Sequence, residues 1–165
     1  DLTKWINDAR KKGIIAIDTE TTGLNVQLDE LVGISLSIEQ GRACYIPLNH
    51  KAVKIQEALN FQSREETPKE KEIAQLPIIQ ALKILKPMLE DPGILKIGQN
   101  IKFDSHILAR HKINLNPIDD TMILSYSLDS GLHGHGMDEL AKTLLDIDTI
   151  KFKEIVGTGK LQITL

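Results

Sequence analysis

Between residues 14 and 47 the chain carries three apolar extended segments separated by short turns, an arrangement that few folds accept. Residues 14–18 read as a strand, and residues 19–24 carry its end into a turn. In residues 31–38, Val32, Ile34, Leu36 and Ile38 alternate with smaller or polar residues, the period-two pattern of a strand with one buried face. Gln40-Gly41 makes the next turn, and residues 43–47 return as a third strand. Three strands joined in this way imply an antiparallel meander. Ahead of them, Leu2, Trp5, Ile6 and Ala9 share one side of a helix over residues 2–12, which Gly13 ends.

The second half changes its rhythm. Residues 62–75 carry seven charges in fourteen positions and include Pro68, so they read as a solvated loop. A helix over 78–89 follows, and after Pro92-Gly93 a short buried strand occupies 94–98. Residues 102–111 read as a helix, Ile118 as the core of a brief final strand, and 121–128 and 137–145 as two more helices. After the first helix, the order βββαβαβα predicts an α/β fold with a mixed sheet flanked by helices. With no internal repeat, residues 1–165 are expected to form a single domain.

Charge narrows the class. Twenty basic and twenty-three acidic side chains leave a net charge of −3, which is not the footprint of a protein that coats nucleic acid. It leaves room for an enzyme that grips one strand end locally, where bound metal ions reverse the sign of an acidic pocket. The single Cys44 cannot form an internal disulfide, which points to a reducing cytoplasm. No signal peptide is visible, and the apolar run 14–17 is too short to span a bilayer, so no membrane partner is expected. The chain begins at Asp1 rather than Met and reads as a piece of something longer.

Two short motifs carry chemistry. In Asp18-Thr19-Glu20 the carboxylates are two apart, so on a strand they project to the same face. Two carboxylates placed together repel unless a cation sits between them, and hard oxygen ligands suit Mg²⁺ or Mn²⁺. The plainer alternative has Asp18 ending a strand and capping a turn while Glu20 points to water. The second motif is Asn100-Ile101-Lys102-Phe103-Asp104, at the start of a helix, with Asn100 and Asp104 four apart on one face. Its plainer reading makes Asn100 a helix N-cap and Asp104 a first-turn charge facing the helix dipole. Each motif follows an apolar strand, however, so both fall at the sheet edge where ligands bind in open α/β sheets. Asp18, Glu20 and Asp104 together make the beginning of a two-metal phosphoryl-transfer centre.

The segments IIAIDTETTGL, LVGISLSIEQGRACYIPLNH, LKIGQNIKFDSHIL, DDTMILSYSLDS and HGMDELA, in this order and spacing, cover nearly the whole chain. They resemble the 3′→5′ exonuclease (proofreading) domain of bacterial family A DNA polymerases, in the tyrosine subgroup of the DnaQ-like (DEDD) exonucleases. The resemblance implies a ribonuclease-H-like fold and hydrolysis of the 3′-terminal phosphodiester of single-stranded or mismatched DNA, releasing nucleoside monophosphates. It implies two divalent ions, Mg²⁺ or Mn²⁺, with Asp18 as shared ligand, Glu20 as second ligand and contact to the terminal 3′-hydroxyl, and Asp104 holding the second ion. It places Gln99 and Asn100 near the substrate backbone, Leu24 against the terminal bases and Phe152 stacked on them, and Phe103 where some relatives have Tyr. The implied partners are a DNA 3′ end and a polymerase domain in the same parent chain, in the bacterial cytoplasm and associated with the nucleoid. The tyrosine subgroup completes its site with a Tyr-x-x-x-Asp that these 165 residues lack. The reading is therefore of a domain truncated before its last motif, with weak or no activity by itself.

Two other readings stay open: an exoribonuclease of the same superfamily, and a non-catalytic structural domain of a polymerase. Intact Asp18, Glu20 and Asp104 speak against the second. His133 and Asp138 have the spacing of the superfamily's histidine subgroup, but their surroundings resemble the polymerase sequence, and Asp138 reads as an N-cap. Residues 157–160 (Gly-Thr-Gly-Lys) fail the phosphate-loop pattern, because Glu154 and Leu161 stand at its other fixed positions. His50, His106 and His111 lack zinc spacing, and Cys44 reads as core.

Overall fold

Apolar alternation and short turns build a sheet whose central strand ends in the carboxylate pair. The computed structural model describes residues 1–50, 53–54, 70–71 and 74–150. Helix α1 (Leu2–Lys12) begins at Asp1, whose side chain accepts from the Thr3 N–H at 3.0 Å. It ends at Gly13, where a left-handed turn (φ 70°) that favours glycine returns the N–H to the Ala9 carbonyl. Strands β1 (Ile14–Thr21), β2 (Leu31–Glu39) and β3 (Arg42–Pro47) form the expected antiparallel meander. A small ladder of β4 (Val53–Lys54) and β5 (Glu70–Lys71) stands apart. Helix α2 (Ile78–Leu89), strand β6 (Leu95–Gly98), helix α3 (Ile101–Arg110), strand β7 (Ile118–Asp120) and helices α4 (Thr121–Leu128) and α5 (Met137–Leu145) complete the order.

The main sheet runs β3-β2-β1-β6-β7, with β6 parallel to β1 and β7 parallel to β6. Direction thus reverses at β1, between its antiparallel partner and its parallel one. One face carries Ile15, Ile17, Ile34, Leu36 and Ile46, which pack with Ile6, Leu85, Met88, Ile101 and Leu108 of the helices. Burying these side chains contributes roughly 1.5–3 kcal/mol each. The other face offers small or polar side chains, Ala16, Asp18 and Glu20 on β1 beside Ser37, Ser35 and Gly33 on β2. An apolar groove lies over this face, walled by Leu124, Leu128, Leu140 and Leu144 of α4 and α5.

Three expectations change in detail. Strand β1 continues to Thr21 instead of stopping at Asp18, because β2 keeps pairing with it: Thr19 opposes Ile34 and Glu20 opposes Gly33, and the register shifts only after Glu20. The charged stretch 62–75 lies largely outside the described residues, but Glu70–Lys71 within it pair as a strand. Asp138 is not an N-cap. Gly136 holds that position, and Asp138, inside the first turn, accepts from the Thr149 hydroxyl at 2.6 Å.

Candidate active site

Strand geometry sends Asp18 and Glu20 to one face and Thr19 between them to the other. Thr19, only 7% exposed, meets helix α3 there. Its backbone N–H donates to Asp104 Oδ1 at 2.8 Å and its hydroxyl donates to the same oxygen at 2.6 Å. Asp104 is thereby fixed at the end of β1, and at 2% exposure it is more deeply buried than an ordinary first-turn carboxylate. The approach of α3 to the sheet depends on Gly98, where a Cβ would stand 2.9 Å from Ile101 Cγ1.

The electrostatics follow from this placement. Burial pushes the Asp104 carboxyl up to about 6; the Thr19 hydroxyl opposes the shift, and the negative charge of Asp18 adds to it. Burial also raises Asp18, and the charge of Glu20 raises it further. On the far side, Tyr45 is pushed up to about 12 by burial and then by Glu20. Negative charge is therefore concentrated along a line from Asp104 through Asp18 to Glu20. Among the described residues, no lysine, arginine or histidine pairs with any of the three carboxylates.

A buried carboxylate, Asp104, beside two half-buried ones, Asp18 and Glu20, with Glu20 raising Asp18, Asp18 raising Asp104 and no cationic partner among the described residues, matches the donor chemistry of Mg²⁺ or Mn²⁺. They are not drawn together as folded: no three His, Cys, Asp or Glu side chains among the described residues are gathered closely enough to hold one ion.

The remaining predicted residues separate. Asn100 occupies the N-cap position of α3 but does not cap it: its backbone is left-handed (φ 55°) and its side chain makes no capping bond. The carboxylate of Asp120 takes that role, accepting from the N–H groups of Asn100 and Ile101 at 3.0 Å each. The Asn100 side chain is left exposed at the edge. Gln99 is committed at both ends of its amide, donating to the His135 carbonyl at 2.7 Å and accepting from the Thr121 hydroxyl at 2.5 Å. Phe103 is half-buried against the core. Leu24 is 91% exposed, in a loop closed by Asp29, which accepts from the Asn25 N–H at 2.6 Å. Arg110 at the end of α3 donates to the carbonyls of Val26 and Asp29 and ties that loop to the helix. Phe152 and the phosphate-loop-like residues 157–160 lie outside the described residues.

His133 and Asp138 have other partners. His133 Nδ1 lies 2.7 Å from the Gly134 carbonyl, and Asp138 bonds Thr149. Two contributors are absent from the sequence reading, Thr19 and the Asp120-Thr121 pair. Alternation along β1 was the available signal for Thr19, since it sends the middle residue of the motif to the opposite face from its neighbours.

A family model described as 3′-5′ exonuclease matches residues 1–164. The DNA polymerase I of Rhizobium leguminosarum is 40% identical over 172 aligned positions, which span 99% of this chain and 16% of that protein. The chain thus spans about a sixth of the length of this curated relative. Among solved structures, Brucella melitensis NrnC bound to pGG is 26% identical with a TM-score of 0.61, covering 84% of this chain and 55% of that one. Escherichia coli RNase D, described as an exoribonuclease, is 18% identical with a TM-score of 0.62 over 99% of this chain and 36% of that one. The second likeness concerns the fold alone. The fold is α/β and ribonuclease-H-like, as the sequence resemblance implied.

Proposed function

The chain belongs to the 3′-5′ exonuclease family, and from that premise we propose that it hydrolyses the 3′-terminal phosphodiester of single-stranded or frayed DNA as the proofreading part of a DNA polymerase I. The observation that carries this reading is the unneutralised line of Asp104, Asp18 and Glu20 at the sheet edge where β1 and β6 end. Asp18, Glu20 and Asp104 would hold divalent ions, Mg²⁺ or Mn²⁺. Bound there, two such ions supply positive charge beside an attacking water and beside a leaving 3′ oxygen. Thr19 keeps Asp104 turned toward that edge. Asn100 contacts the strand backbone, while Gln99 shapes the same rim through its bonds to Thr121 and His135. Leu24 and Phe152 separate and stack the last bases, with Phe103 backing the helix beneath them. Base stacking on an aromatic is worth roughly 1–3 kcal/mol per base.

In this reading the substrate is a free or frayed strand end. A mismatched end costs less to unpair, so frayed termini reach the carboxylates first. The curated relative is a longer DNA polymerase I, and in this reading the chain works beside a polymerase domain in the same protein. No described helix is long and apolar enough to cross a membrane, and the reading places the protein in the bacterial cytoplasm, at the nucleoid. An exoribonuclease of the same superfamily is the competing activity, since it would use the same three carboxylates.

Calorimetric titration of the 165-residue chain with Mn²⁺ tests the metal part. Binding should be weak and should fall at least tenfold in Asp18→Ala; equal binding by the variant would place the ion elsewhere. Matched DNA and RNA strands offered to the natural protein that contains this chain decide the sugar.

A further inference from the structure

Asp120 closes β7 opposite Gly98 of β6, at the same edge as the carboxylate line, and is 8% exposed. Its Oδ1 accepts from Met122 N–H at 2.9 Å and Ile123 N–H at 3.4 Å, which caps α4. The same oxygen accepts from Asn100 N–H at 3.0 Å, and Oδ2 accepts from Ile101 N–H at 3.0 Å, which caps α3. One buried carboxylate therefore satisfies unpaired N–H groups at the starts of two helices. The left-handed backbone of Asn100 turns its N–H toward Asp120 and leaves its own side chain out of the cap. The next residue continues the pattern. Thr121 donates its hydroxyl to the Gly98 carbonyl at 3.1 Å and to Gln99 Oε1 at 2.5 Å.

We propose that Asp120 is a positioning residue for the nuclease reaction, an inference that rests on the function proposed above. It touches neither metal nor substrate in this scheme. It fixes the first turn of α3 against the end of β7, and Asp104 stands one turn into that helix, bonded to Thr19. A shift of α3 along its axis moves Asp104 relative to Asp18 and moves Asn100 at the rim. Displacements of about 1 Å cost on the order of a hundredfold in rate when reacting groups are held by geometry. Beyond the α4 cap, the two bonds to Asn100 and Ile101 tie this carboxylate to the helix that bears Asp104.

Two substitutions separate the roles. Asp120→Asn keeps Oδ1, and so the bonds to Met122, Ile123 and Asn100, but sets an NH₂ against the Ile101 N–H. Asp120→Ser keeps a good cap for α4 and gives up the reach to α3. Hydrolysis of a single-stranded oligonucleotide by the natural protein containing this chain is followed as Mn²⁺ is varied. For both variants we expect kcat to fall by roughly tenfold to a hundredfold and the half-saturating Mn²⁺ concentration to rise by about fivefold or more, with the oligonucleotide KM changed much less. Leu82→Ala, in α2 within the apolar core, supplies a destabilised comparison that should leave Mn²⁺ half-saturation unchanged. Unaltered kcat and half-saturation in the folded Asp120 variants, or an equal change in Leu82→Ala, would overturn the inference. A natural protein with no metal-dependent hydrolysis would overturn the nuclease reading and this inference with it.

Discussion

Thr19 donates its backbone N–H and its hydroxyl to a single oxygen of Asp104, at 2.8 and 2.6 Å. The contact joins strand β1 to helix α3 across 85 residues of sequence and orients one carboxylate of the candidate site from within the motif that supplies the other two. Removing the hydroxyl tests how much that orientation contributes. Thr19→Val keeps the shape and the backbone bond, so stability should fall by about 1 kcal/mol. Asp104 becomes freer to turn, and hydrolysis by the natural protein should fall by roughly tenfold. Thermal denaturation and initial rates measure the two effects; an unchanged rate would mean that the backbone N–H alone orients Asp104.

Asp104 also predicts a pH dependence. Its folded-state value, raised to about 6 from 3.8, means that the folded chain holds a proton which the unfolded chain releases between those values. Stability from this group is therefore greatest below pH 4, declines as pH rises through about 6, and stays low above it. Without metal, Asp104→Asn should remove this slope and stabilise the chain at pH 7.5 by about 1–3 kcal/mol. Mn²⁺ competes with the same proton, so its affinity for the unsubstituted chain should rise through pH 6. Denaturation midpoints at pH 5 and 7.5 for both proteins check the sign; parallel curves would place the raised group elsewhere.

Leu24 presents the opposite case, an apolar side chain 91% exposed on a loop held by Asp29 and Arg110. Leu24→Ala should change stability by less than about 0.5 kcal/mol. If Leu24 wedges the terminal bases, the variant should bind single-stranded DNA several-fold more weakly, and Phe152→Ala should do the same, with Mn²⁺ affinity unchanged in both. Fluorescence anisotropy with a labelled oligonucleotide measures it, and wild-type affinity in the Leu24 variant would make the residue ordinary surface.

The sheet was legible in the sequence because its signals are local. Alternation from Val32 to Ile38 and the Gln40-Gly41 turn fix β2 and β3 without reference to anything distant. The end of β1 was not legible, because Thr19 to Thr21 are held extended by pairing with residues 31–34, a contact that short-range pattern does not report. The site divides in the same way. Asp18, Glu20 and Asp104 announce themselves as carboxylates after apolar strands. The capping of α3 does not, since Asn100 has the composition of an N-cap while the bonds come from Asp120, twenty residues on. Lys96 gives the limiting example: a lysine inside a short apolar strand, fully buried, with Nζ donating to the carbonyls of Asp91 and Asn116. The apolar neighbours predict a buried strand but not what a lysine within it would bond; two backbone carbonyls brought together by tertiary structure make its burial tolerable.

The central claim is that Asp18, Glu20 and Asp104 form a metal-dependent site acting on a DNA 3′ end. A 5′-labelled single strand incubated with Mg²⁺ and the natural protein containing this chain tests it most directly, with Asp18→Ala alongside. The account predicts a ladder of products shortening one nucleotide at a time from the 3′ end, lost with EDTA and slowed by about a thousandfold or more in the variant, the scale reached when a centre loses its charge stabilisation. Internal cleavage, or equal rates from the two proteins, would contradict it.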